Sequence, residues 1–103
     1  ICLGGGELAV REAGVLLDLA VVELVAGETR AARALAEGAV ELFHPQGYRR
    51  MDALVLTFAG QLAAEQGDRA AARRHAAEAE RLFVQMRHEP GRQRAAAVLA
   101  GIR

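Results

Sequence analysis

The chain has 103 residues, of which 52% are hydrophobic, 25% charged and 4% aromatic. That is the make-up of one soluble globular domain, and it excludes a disordered chain. Lys plus Arg equals Asp plus Glu at 13 each, every basic residue being arginine, so a strongly basic nucleic-acid binder is not indicated. The one cysteine, Cys2, excludes an intrachain disulfide and a cysteine metal site, and a reducing cytoplasm is the expected location. The uncharged run from Ala53 to Ala64 is too short to span a bilayer, so no membrane partner is expected. The first residue is Ile1 rather than Met, which predicts a fragment or a processed chain.

Turn signals cut the chain into five helices, predicted near 7–26, 29–43, 48–66, 69–87 and 92–102. The first helix holds Val15 to Ala26, apolar on nearly all sides, which predicts burial on all sides. Gly27-Glu28-Thr29 then supplies a helix stop, and Thr29 is the expected N-cap of the second helix. Pro45 and Gly47 break the chain before the third helix. Gly60, inside that helix, costs roughly 1 kcal/mol against Ala, which predicts another backbone crossing close by. Gly67-Asp68-Arg69 repeats the first turn, with Asp68 as the N-cap of the fourth helix. Pro90-Gly91 is the last expected break, before a short terminal helix. The predicted core is Leu16, Leu19, Leu35, Leu42, Phe43, Leu56, Leu62, Leu82 and Phe83.

An internal repeat runs through these elements. Gly27 and Gly67 are forty apart, as are Leu16 and Leu56, Ala32 and Ala72, Ala36 and Ala76, Ala39 and Ala79, and Phe43 and Phe83. The alanines form one stripe on each second helix, where small side chains let a neighbour approach. Repeat one covers about 7–46, repeat two about 47–89, and a partial third about 91–103.

Leu56, Ala59, Gly60, Gly67, Asp68, Ala72, Ala76 and Ala79 carry a pattern that resembles tetratricopeptide repeats. Residues 16–43 match it more loosely, with Ala20 where the second repeat has Gly60. The period of forty is longer than the usual ~34 and resembles the long repeats of kinesin light chains and large bacterial transcriptional regulators. The aromatic common in the first helix of such repeats is absent, Glu23 and Ala63 standing in its place.

The resemblance implies an all-α fold of antiparallel helix hairpins stacked as a short right-handed superhelix of about two and a half repeats. It implies a protein–protein interaction module with no catalysis, which holds a peptide or helix on its concave face. Leu17, Val21 and Leu24 of the first helix, Thr57, Gln61 and Glu65 of the third, and Arg94 of the last would face that groove. Gln61 would hold a ligand backbone through its amide, and Glu65 and Arg94 would select charge. The alternative is an oligomerisation or effector-sensing segment of a larger bacterial transcriptional regulator. Residues 1–28 are acidic and residues 69–103 basic. With the open apolar ends of the array, that predicts self-association, as a homodimer through the first or the terminal helix.

No residue set announces a reaction or a cofactor. Gly4-Gly5-Gly6-Glu7-Leu8-Ala9 fits G-x-G-x-x-A, but a dinucleotide fingerprint needs a strand before it and a βαβ unit around it. Glu41-Leu42-Phe43-His44 is a single E-x-x-H, where a di-iron bundle needs two and further carboxylates, so no metal site is expected. His75 reads as a solvated residue and His88 as a helix-terminal one. Cys2 has no nearby histidine to activate it, serine is absent, and there is no P-loop. Arg49, Arg50, Arg69, Arg73, Arg74 and Arg81 are not interleaved with aromatics, so direct nucleic-acid binding is not expected.

Overall fold

A computed structural model describes residues 3–102, with side chains from Leu8 onward. The described residues form five α-helices and no strand: α1 Leu3–Val25, α2 Thr29–Phe43, α3 Arg49–Glu65, α4 Arg69–Gln85 and α5 Glu89–Ile102. A 3-10 turn, His44–Gln46, follows α2 directly. Each helix packs on the next, and α3 also packs on α5. The extents are 47 × 34 × 20 Å, and the shortest is about two helix diameters, as two layers of helices require.

The turns recur every twenty residues. Gly27, Gly47, Gly67 and Arg87 all have positive φ, at +84°, +73°, +81° and +55°. Three of them close the same Schellman turn. The N–H of Glu28, Asp68 and His88 donates to the carbonyl of Glu23, Ala63 and Phe83 at 2.8, 2.9 and 2.9 Å. The forty-residue repeat is therefore two similar helix-plus-turn units in succession.

Local chemistry departs from expectation at three places. Helix α1 begins at Leu3 and takes in the glycines at 4–6, since glycine weakens a helix without forbidding its backbone angles. Residue 28, not Thr29, occupies the N-cap of α2, and Glu28 makes no capping bond. The Schellman turn puts Thr29 already inside the helix. The break before α5 falls at Arg87, not at Pro90-Gly91, which lie in the first turn of α5. Proline is tolerated there because its missing N–H has no intrahelical acceptor. His88 sits at the N-cap, its Nδ1 accepting from the Gly91 N–H at 3.0 Å. The expected cap at Asp68 is present, Oδ1 accepting from the Ala71 N–H at 3.1 Å.

The alanine stripes do what small residues allow. Ala32, Ala36 and Ala39 of α2 are fully buried against Ala13 and Ala20 of α1 and Val55, Ala59 and Leu62 of α3. Ala72 and Ala76 of α4 are buried with Ala63 of α3 and Val98 and Ile102 of α5. Ala53, Leu56, Ala79, Leu82, Phe83 and Ala95 close the space between α3, α4 and α5. A Cβ added to Gly60 would lie 3.4 Å from the Ala72 carbonyl oxygen and 3.4 Å from the Ala76 nitrogen, so the close crossing expected there is with α4.

Of the predicted core, Phe43, Leu56, Leu62, Leu82 and Phe83 are buried, and Leu16, Leu35 and Leu42 are half-buried against the first cluster. Leu19 is not in the core; it is 46% exposed. It projects from α1 on the side away from Ala13 and Ala20, where no described element covers it. The same geometry leaves Leu8, Val15, Val21, Val22 and Val25 exposed, so α1 is buried along one face and not all round.

Candidate functional site

Helices α1, α3 and α5 line a groove. Along α3 the residues Leu54, Thr57, Phe58, Gln61 and Glu65 recur at the three- and four-residue spacing of one helical face. One cavity of about 450 Å³ is bounded by Leu54, Thr57, Phe58 and Gln61 of α3, Phe83 of α4, and Arg94, Ala97 and Val98 of α5. A second, of about 370 Å³, continues past Phe58, Gln61, Ala97 and Val98 to Leu24 of α1 and to Glu65 and Gly101. Gln61 lies where the two meet.

Five of the seven residues expected to face a groove line these cavities: Leu24, Thr57, Gln61, Glu65 and Arg94. Leu17 instead packs, half-buried, against the core cluster of α1, α2 and α3. Val21 is exposed and lies outside both cavities. Sequence reasoning left out the apolar walls, Leu54, Phe58, Ala97 and Val98. The first two stand on the same α3 stripe as Thr57 and Gln61, and that spacing was the signal for them.

The polar groups of the groove differ in availability. Thr57 is buried, and its Oγ1–H is already donated to the Ala53 carbonyl at 2.9 Å. Its hydroxyl is therefore part of the floor. Gln61, Glu65 and Arg94 are exposed, and none makes a hydrogen bond or ion pair among the described residues. Arg94 stands beside Leu54 and Thr57, and Glu65 beside Leu24 and Gly101. Leu54 and Glu65 are eleven residues apart, about 16 Å along a helix. The groove is thus apolar in its walls, amide-bearing at its middle, cationic at one end and anionic at the other.

Several ionisable groups outside the groove are paired within the fold. At the junction of the hairpins Arg33 donates to Asp68 Oδ2 at 2.7 Å, to Gln66 Oε1 at 3.0 Å and to Glu37 Oε2 at 3.2 Å. The Arg33 hydrogen bond, then that of the Ala71 N–H, holds the Asp68 carboxyl below its ordinary range. His75 is not solvated. Its side chain is 13% exposed and Nε2–H donates to Glu37 Oε2 at 2.8 Å. His44 donates from Nδ1 to Oδ2 of the buried Asp52 at 2.7 Å. Arg81 pairs with Glu78, and Arg92 with Glu89. No group of three or more potential metal ligands occurs among the described residues. No helix among them is long and apolar enough to cross a membrane. The glycines at 4–6 lie in α1 rather than in a loop after a strand. Cys2 and the side chain of Glu7 lie outside the described residues.

Comparison with models of known families, with curated proteins and with solved structures finds no match to the chain.

Proposed function

We propose that the chain is a protein-interaction module that binds a short peptide or helix in the groove between α1, α3 and α5, without catalysis. The observation that carries this reading is the pairing of apolar walls with three uncommitted polar side chains, Gln61, Glu65 and Arg94, along one continuous surface. A span of about 16 Å holds about five extended residues at 3.3 Å each or about eleven helical ones. Leu54, Phe58 and Val98 take apolar side chains of the ligand, and Gln61 offers a donor and an acceptor to its backbone. Arg94 favours a carboxylate at one end, and Glu65 a basic group at the other. The tetratricopeptide resemblance supports the same face for the same role.

The test is selection of random twelve-residue peptides on the purified chain, followed by titration of the enriched sequences. The expected ligands are apolar in the middle, with an acidic residue toward one end. Arg94→Glu should weaken them at least tenfold, and Phe58→Asp should abolish binding. Enriched peptides that bind both variants as well as the parent would overturn the groove assignment.

A further inference from the structure

We propose that His88 is an acid-sensitive latch on the α5 wall of the groove, whose protonation frees the first turn of α5 and with it the cationic end of the groove. Its effect on a ligand rests on the proposed peptide binding; its effect on α5 does not. His88 is the N-cap of α5, with Nδ1 3.0 Å from the Gly91 nitrogen. A backbone N–H can only donate, so Nδ1 carries a lone pair and the proton of the neutral ring sits on Nε2. An imidazolium has an N–H at both positions and cannot accept. Protonation therefore deletes the cap and sets a positive charge at the end of the helix where the dipole is already positive.

The other two histidines have the opposite polarity. His44 and His75 each donate to a carboxylate, Asp52 at 2.7 Å and Glu37 at 2.8 Å. A donated bond survives protonation and gains charge assistance. Of the three histidines, His88 is the one whose bond is lost to acid.

The charged groups around the turn offer an imidazolium no free anion among the described residues. Arg87 precedes His88 in the chain. On α5, Glu89 already accepts from Arg92 and Gln93. On α4, Glu80 stands 4.0 Å from the Arg92 guanidinium. The first turn of α3 borders the last turn of α4 and carries Arg49 and Arg50, while Asp52 is bound to His44. The Phe83 ring, 5.3 Å from the imidazole and tilted by 31°, is a contact that both states of the ring can make.

The latch reaches the groove by contact. Gly91 packs so closely on the Phe83 ring that a methyl group there would strike it. Phe83 lines the first cavity, and Arg94, one helical turn after Gly91, stands on its wall. When the first turn of α5 loosens, Phe83 loses cover and Arg94 loses its place.

Amide NMR of the unliganded chain near pH 7.5 and near pH 5.5, on either side of ordinary histidine titration, tests the latch. His88→Asn is the comparison, since asparagine caps a helix without titrating; circular dichroism verifies its fold. In the parent, the Gly91 amide resonance should move with protonation of the His88 ring. Protection of the Arg92 to Ala95 amides against exchange, corrected for intrinsic rates, should fall at least fivefold at the lower pH. In His88→Asn both should hold. Twelve-residue peptides selected on the parent near pH 7.5 should then lose at least fivefold in affinity near pH 5.5 on the parent and less than twofold on His88→Asn. A Gly91 resonance indifferent to pH, or equal loss of protection in parent and variant, would overturn the latch. Peptide affinity that ignores a working latch would overturn its link to the groove. Failure to select any peptide would count against the groove alone, because the Arg94 amide reports the latch without a ligand.

Discussion

Arg33 and Asp68 join the two hairpins at their turn. The guanidinium of Arg33 in α2 donates to Oδ2 of Asp68 at 2.7 Å, while Oδ1 of the same carboxylate caps α4 through the Ala71 N–H. One side chain therefore terminates a helix and fixes how the preceding hairpin leans on it. The geometry also explains why the second turn carries an aspartate where the first has Glu28. Residue 68 has Arg33 of α2 within hydrogen-bond reach, and Glu28 makes no capping bond.

The double role sets a pH dependence. The folded-state pKa of Asp68 is held below 3.8, its ordinary value. Its stabilisation is therefore complete above the ordinary carboxylate range and is lost as the pH falls through the folded value. Thermal unfolding followed at pH 7 and near pH 3 should show the parent losing more stability than Asp68→Asn. Asp68→Ala should lower the melting temperature at pH 7 by removing both the cap and the anchor. Equal acid sensitivity of parent and Asp68→Asn would contradict the assignment.

Two glycines should respond in opposite ways to a methyl group. At Gly60 the added Cβ meets the α4 backbone at ordinary contact distance, so the helix-propensity gain of about 1 kcal/mol outweighs the crowding. Gly60→Ala should keep or raise the melting temperature, whereas Gly60→Leu should overpack the crossing and cost about 1–3 kcal/mol. At Gly91 the Cβ would fall on the ring of Phe83, which is 1% exposed and would have to shift. Gly91→Ala should therefore destabilise, also by about 1–3 kcal/mol. Denaturant titration of the three variants checks the order.

Arg87 holds a left-handed conformation that the other turns give to glycine. For a residue with a Cβ this costs about 1–2 kcal/mol. Arg87→Gly relieves that strain, while the looser unfolded chain returns part of the gain. The melting temperature should rise by a few degrees. A fall would mean that the Arg87 side chain contributes more than its backbone strain costs.

The helical class, the turn positions at Gly27, Gly47 and Gly67, the Asp68 cap and the two alanine stripes were legible in the sequence. Each acts over a few residues of chain, or repeats at a spacing that survives without three-dimensional information. The left-handed turn at Arg87 was not legible, because arginine carries no preference for it; the Schellman bonds to Phe83 and Val84 hold it there. Nor was the need for Gly91, which exists only because the Phe83 ring, eight residues earlier, turns back over the start of α5. The groove was half legible. The α3 stripe announces itself by its spacing, but only the parallel placement of α5 beside α3 brings Arg94 to Thr57 and Val98 to Phe58. Burial of α1 was the clearest decision of the tertiary structure. The apolar run from Val15 reads the same on every side, yet Ala20 is sealed and Leu19 next to it is open. Apolarity is a property of the residue, whereas burial depends on which side the neighbouring helices stand.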